Sequence, residues 1–367
     1  MKNKLTIIIL LCFSQFSIAQ PFSSEIKKDK IIKVCNAVAD WQIASQSSVK
    51  HNPLDWTNGA LYKGMAEWAK TSNNEVYFEF VKDIGDIYNW NVWKRVYHAD
   101  DICVGQAYID LYRHYGDKKM LQPTMERAYY VASHPSDAPL NKLDPLGKDE
   151  RWSWCDALFM APPVYAALFS MTGDSKYVDY MNDEFKECVD SLYDKQAKLF
   201  YRDIKRIPLR EPNGAKQFWG RGNGWVFGGL PLIIDNLPEL YPMRSYYIQL
   251  FKEIAPAILE TQDQNGAWHS SLLDPESYPF PENSASAFFC YGFAWGINNG
   301  YLDAKTYGPA LEKGWKSLVK YVNKEGRLGY VQPVGAAPKT VGEEATDVYG
   351  VGAFLLAGSE LYRLATK

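Results

Sequence analysis

The 367-residue chain has no long run of alternating apolar and polar residues, no Cys-x-x-Cys pair, and no Ser/Gly-rich or Pro-rich stretch separating two blocks. The first absence argues against a sheet-built fold, because half-buried strands repeat every two residues. The missing linker makes one catalytic domain over residues 20–367 the default reading. Beyond the N-terminal leader stand Cys35, Cys103, Cys155, Cys188 and Cys290, an odd number without metal-ligand spacing. A disulfide framework and a bound metal are therefore both poorly supported, and no cofactor is expected. Settings such as Phe288-Phe289-Cys290-Tyr291 favour buried free thiols. Charge of one sign is scarce too: the net charge is −3 with both signs scattered, which argues against nucleic acid or a membrane surface as partner. The apolar stretch from Leu5 to Phe13 is too short to span a bilayer. Following Met1-Lys2-Asn3-Lys4 and preceding Ser17-Ile18-Ala19, it reads as a secretory signal peptide over residues 1–19. An exported protein, periplasmic or secreted, is expected.

Aromatic residues, by contrast, are plentiful, at 15% of the chain with twelve Trp. Carbohydrate-active proteins use such an excess as stacking surface, and large all-α cores also absorb it. Ile31, Val34, Cys35, Val38 and Trp41 fall at helical spacing, as do Ala60, Met65 and Trp68. Between helices a punctuation recurs: Tyr115-Gly116-Asp117, Thr172-Gly173-Asp174 and, more loosely, Asn299-Gly300 with Asp303. Each reads as a glycine closing one helix and an aspartate capping the next. Hairpins repeated without matched internal sequence, joined by long aromatic returns, point to an (α/α) toroid with its site at one end. The irregular stretches Ser133 to Arg151, Arg206 to Phe218 and Leu272 to Ser284 are candidate rims of a cleft.

Three segments carry possible chemistry. Trp219-Gly220-Arg221-Gly222-Asn223-Gly224-Trp225 sets a guanidinium between two indoles on a glycine-rich backbone. An Arg fork can grip a carboxylate while indoles stack on a sugar, a combination suited to a uronic acid. The same residues are also turn vocabulary flanked by core aromatics. In Trp152-Ser153-Trp154-Cys155-Asp156-Ala157-Leu158-Phe159-Met160, a carboxylate opens an apolar helix. Asp156 is either a general acid raised by desolvation or the cap of a helix ending near Phe169. In His98-Ala99-Asp100-Asp101, one aspartate suits the helix dipole and the other can pair with Asp156 across a cleft.

Taken in order, His-Ala-Asp-Asp, Trp-Cys-Asp-Ala-Leu-Phe-Met, Trp-Gly-Arg-Gly-Asn-Gly-Trp and Glu282-Asn283-Ser284-Ala285-Ser286-Ala287 resemble glycoside hydrolase family 105, the unsaturated rhamnogalacturonyl hydrolases. Family 88, the unsaturated glucuronyl hydrolases, is the more distant kin. The resemblance implies an all-α (α/α)6 barrel, a six-hairpin toroid. It also implies hydration of the C4–C5 double bond of an unsaturated uronic acid at the non-reducing end of lyase-generated oligosaccharides. Rhamnogalacturonan and ulvan fragments are the expected substrates. By motif match, Asp156 takes the acid/base role and Asp100 that of second active-site aspartate. Trp219, Arg221 and Trp225 fall at substrate-holding positions, and Trp56 at an aromatic subsite. Arg202 stands where many relatives carry a histidine facing the ligand, and a cation there suits an additional anion such as a sulfate.

Overall fold

The computed structural model describes residues 20–140 and 150–366. The expected signal peptide and the middle of the Ser133 to Arg151 stretch lie outside them. Helices α1 (Lys28–Ser45), α2 (Trp56–Ser72), α3 (Glu75–Ile87), α4 (Gly105–Tyr115) and α5 (Gln122–Ser133) lead into α6 (Ala157–Met160), α7 (Pro162–Thr172) and α8 (Ser175–Leu192). After the short antiparallel pair β1 (Tyr193–Asp194) and β2 (Leu199–Phe200) come α9 (Gly220–Asn236), α10 (Arg244–Glu260), α11 (Asn283–Asn298), α12 (Ala304–Lys320) and α13 (Val348–Leu364).

Alternate helices close a ring. α2 packs on α4, α4 on α7, α7 on α9, α9 on α11, α11 on α13, and α13 returns to α2. Each remaining long helix flanks this ring from outside: α1 lies on α13, α3 on α2, α5 and α8 on α7, α10 on α9, and α12 on α11. The fold is thus the (α/α)6 toroid. Burial follows the same division. Every residue of α9 from Gly220 to Ile234 is buried, as is every residue of α13 from Val348 to Leu361. The outer helices α8 and α12 bury one stripe only, as amphipathic helices on a core do. The tightest inner contact is built from glycine. A Cβ on Gly64 of α2 would lie 2.3 Å from the Gly352 carbonyl, and one on Gly352 would lie 2.2 Å from that of Ala60.

The expected caps are in place. Gly116 and Gly173 close α4 and α7 with φ of 75° and 72°. The Asp174 and Asp303 side chains accept from the first-turn amides of α8 and α12, whereas Asp117 caps a single 3₁₀ turn ahead of α5. These tight links join the C-termini of inner helices to outer ones. The long links, residues 46–55, 88–104, 193–219, 261–282 and 321–347 among them, run the other way and gather where the inner helices begin. That end carries the residues singled out for chemistry.

Candidate active site

One departure from the sequence reading sits at Asp156. The helix expected to run on to Phe169 is two helices, broken at Ala161, because Pro162 and Pro163 cannot supply the amides that would continue α6. Asp156 lies at the start of α6 with φ −61° and ψ −30°, and its side chain caps nothing. The carboxylate is buried and points elsewhere. Cys155 Sγ donates to its Oδ2 at 3.8 Å, and Arg202 Nε lies 3.3 Å from the same oxygen. Arg202 arrives there by backbone pairing: Trp154 and Asp203 form an antiparallel bridge, and the Cys155 amide donates to the Arg202 carbonyl at 2.9 Å. Asp203 in turn accepts from Arg202 Nη1 at 3.0 Å.

The two adjacent aspartates divide their tasks. Asp101 is sealed at 1% exposure and accepts the Arg95 amide at 2.7 Å and its guanidinium at 2.6 Å, so it is the structural one. Asp100 faces Asp156, on a 3₁₀ turn (Ala99–Ile102) packed against α6. Its Oδ1 is buried without a hydrogen-bond partner. His98 precedes the turn, accepts the Asp100 amide on Nδ1 at 3.2 Å, and lies against the Trp154 ring. Burial, then the Arg95 and Arg202 charges, push the imidazole down to about 3, so it is neutral and serves as an acceptor.

Both carboxyls of the pair are shifted upward. Burial and then the charge of Asp156 hold Asp100 well above the usual carboxylate range. Burial raises Asp156 too, but the Arg202 and Arg221 guanidiniums oppose it. Burial also pushes the Cys155 thiol well up, which disfavours the thiolate that a nucleophile needs.

The glycine-rich segment is not a ligand-facing turn. Gly220 to Trp225 form the first turns of α9, and Asn223 is helical. The glycines make room for packing: a Cβ on Gly220 would lie 2.4 Å from the His269 carbonyl, and one on Gly222 would lie 3.1 Å from Cys155 Sγ. Asn223 bridges to β2, accepting the Phe200 amide at 2.8 Å and donating to its carbonyl at 3.0 Å. Trp219 and Trp225 are 2% and 0% exposed, so neither presents a face to a ligand in this conformation. Arg221 is also sealed. It donates to the carbonyls of Gln332 and Pro333 and is sandwiched between the Trp219 and Tyr349 rings. A free Arg221 fork gripping a carboxylate does not describe this structure.

Trp56 is the singled-out tryptophan that keeps exposed surface. It opens α2, stacks on Tyr349 at 5.4 Å and meets Trp225 edge-on at 5.7 Å. Sequence reasoning passed over Tyr349 and Gln332. Gln332 accepts from Trp219 Nε1 at 3.0 Å, and its amide donates to the buried Glu282 at 3.0 Å. Glu282 caps α11 by accepting the Ser284 and Ala285 amides, and nothing near Gln332 signalled its role. Among the described residues, no group of three or more His, Cys, Asp or Glu is placed to hold a metal ion. Nor is any described helix long and apolar enough to cross a membrane.

Comparison with known proteins extends this geometry. The sequence model for Glycosyl Hydrolase Family 88 matches residues 28–365. The chain belongs to that family. It is therefore a glycosidase whose substrate is a carbohydrate, and both families named from the sequence recur among its relatives. An "Unsaturated 3S-rhamnoglycuronyl hydrolase" from Formosa agariphila is 38% identical over 99% of this chain and 100% of the relative. A solved structure described as "Glycosyl hydrolase family 88 from Bacteroides vulgatus" superposes with a TM-score of 0.83 at 31% identity, covering 92% of this chain and 99% of the other. A possible family 105 member from Salmonella enterica shares the fold, with a TM-score of 0.74 at 20% identity over 92% of this chain and 94% of its own.

Proposed function

We propose that this family 88 enzyme removes a Δ4,5-unsaturated uronyl residue from the non-reducing end of a rhamnose-linked oligosaccharide by hydrating the C4–C5 double bond. The observation that carries the reading is the facing pair of Asp100 and Asp156, both raised, with Asp156 free of any capping duty. Asp156 protonates the electron-rich C4 of the enol ether. As a carboxylate, it then takes a proton from the water attacking C5. The resulting hemiketal opens, and the glycosidic bond breaks as the ring falls apart. One carboxyl thus serves both proton transfers, and Asp100, itself raised by burial and the Asp156 charge, shares the pair's proton with it. The name of the Formosa relative, an unsaturated rhamnoglycuronyl hydrolase, supports the substrate class.

We also reassign the carboxylate. Arg202 touches the acid itself, so the anion within its reach is the one bonded to C5, beside the carbon being protonated. A sulfate on the neighbouring rhamnose lies beyond C1, across the ring from C4. We assign Arg202 to the uronate carboxylate and Trp56 to the sugar face. Trp219, Arg221 and Trp225 hold the wall behind them. Comparing sulfated with desulfated disaccharide on wild type and Arg202→His tests this. A preference for sulfate that is lost on substitution returns Arg202 to the sulfate.

The reaction itself is tested by the loss of substrate ultraviolet absorbance in heavy water. Hydration on the enzyme places deuterium on one face of C4. Cleavage at the anomeric carbon first would leave the free ring to tautomerise in solution, giving deuterium on both faces, and would sink the hydration reading in favour of an ordinary inverting glycosidase. Unchanged absorbance would leave only carbohydrate binding. Export is proposed on the leader at residues 1–19, and an N-terminus at Gln20 in the secreted protein is the expected result.

A further inference from the structure

Arg202 is held unevenly. Its Nη1 donates to Asp203 at 3.0 Å, but its Nε, 3.3 Å from Asp156 Oδ2, has no properly aligned acceptor. The contact with the acid is therefore an ion pair without a directed hydrogen bond, which is easier to exchange than a bidentate fork. The side chain keeps 28% of its surface exposed, whereas Arg221 is sealed at 0% with its terminal nitrogens on carbonyls. Across from Asp156, Asp100 Oδ1 has no partner at all. The acid is thus paired with a cation that keeps surface of its own.

We propose that Arg202 is a substrate-released restraint on the acid: the guanidinium that pairs with Asp156 is taken over by the carboxylate of an incoming uronyl ring. The proton of the Asp100–Asp156 pair is then held through turnover only when an anionic ring is bound. This rests on the hydration reading above and deepens it. The groups facing Asp156 are Arg202 and Asp203 on the loop after β2, Arg221 on α9, Asp100 on the 3₁₀ turn, Cys155 beside it and Cys188 on α8. Of the two cations, Arg202 is the one that keeps surface for a ligand to reach. While it faces the pair, the guanidinium favours the ionised form. Once a substrate carboxylate neutralises it, the proton is retained to higher pH.

The test is the pair of pH profiles on the unsaturated disaccharide. In wild type, the basic limb of kcat reports the bound state and should lie about 1 pH unit above that of kcat/KM, which reports the free enzyme. Arg202→Gln should raise the kcat/KM limb towards the kcat limb and narrow the gap, while Arg202→Lys keeps the cation and should preserve most of it. Coincident limbs in wild type, or an undiminished gap in Arg202→Gln, overturn the proposal. The wild-type comparison needs no variant to fold. A second reading uses the methyl ester of the unsaturated uronate, which keeps the double bond but not the charge. At pH above both basic limbs the ester should lose about tenfold in wild-type kcat, the equivalent of one pH unit of proton affinity, and much less in Arg202→Gln, with little loss on the plateau. An ester penalty confined to KM also overturns it. Absence of any ultraviolet loss, by contrast, would indict the hydration reading itself.

Discussion

The two ends of the toroid bury carboxylates in opposite ways. Towards the C-terminal ends of the inner helices, Lys63 meets Asp110 at 2.6 Å and Glu67 at 3.5 Å, Trp295 Nε1 donates to Asp235 at 2.8 Å, and Asn298 donates to Glu360 at 2.7 Å. Each of these acids has a donor. At the other end, where the inner helices begin, Asp100 Oδ1 has none, and Asp156 has only a thiol and a misaligned guanidinium. One end spends its polar groups on holding helices together, while the other keeps them unspent for a ligand. An unsatisfied buried carboxylate costs stability, so its persistence marks the working end.

The sharpest way to break the contrast is to remove the proton carrier. Asp156→Asn is nearly isosteric and caps nothing, so the variant should melt like wild type while turnover falls ~10²–10⁴-fold. Near-normal turnover in a folded protein would remove Asp156 from the mechanism. At the other end the effect should be the converse. Lys63→Met leaves Asp110 and Glu67 only the longer contacts to Arg113 and Lys70 and should cost about 2 kcal/mol of stability, with kcat unchanged in the protein that remains folded. A loss of kcat with unchanged melting would show that the two ends are not separable.

Asp100→Asn joins the two kinds of effect. Its folded carboxyl is raised, so ionisation is resisted in the native state, and stability is lost as pH climbs above the unfolded value of about 3.9. The variant should therefore melt higher than wild type at pH 7, by about 1 kcal/mol, and equally at about pH 3, where both forms are neutral. Turnover should fall less than in Asp156→Asn. The basic limb of kcat should move to lower pH, because the pair's second ionisation, which the first charge opposes, becomes the single ionisation of Asp156. Equal melting of the two proteins at pH 7 would mean that Asp100 is satisfied in solution.

The same contrast explains what the sequence could tell. Helix ends are local events, so Gly116, Gly173, Asp174 and Asp303 announced hairpins, and repeated hairpins announced the toroid. Asp156 was legible as a candidate, but local sequence left it between acid and helix cap, and the family resemblance decided for the acid. The partners of these groups were not legible. Arg202 reaches Asp156 only through the Trp154 to Asp203 pairing, a long-range contact without a sequence signature. The glycines around Arg221 looked like a loop made for a ligand because the atoms crowding them, the His269 carbonyl and Cys155 Sγ, are also distant in sequence. Pro162-Pro163 was the readable sign of the break after α6, and the apolar periodicity around it masked that sign.

The smallest expected effect lies at the packed end, with Glu360. Burial pushes it up to about 7, against the opposing Arg363 charge and the Asn298 hydrogen bond. It is therefore the acid there that comes nearest to behaving like the open end. Its folded value lies above the unfolded one of about 4.3, so it costs no stability at low pH and an increasing amount as pH rises through 7. Glu360→Gln keeps an acceptor for Asn298 and discards the charge. Thermal melts should show no difference from wild type at pH 4 and a modest gain at pH 8, with kcat and its pH profile unmoved because Glu360 sits at the far end of α13. A gain of the same size at both pH values would trace it to packing rather than charge. A shift in the kcat profile would couple the two ends electrostatically through the ring.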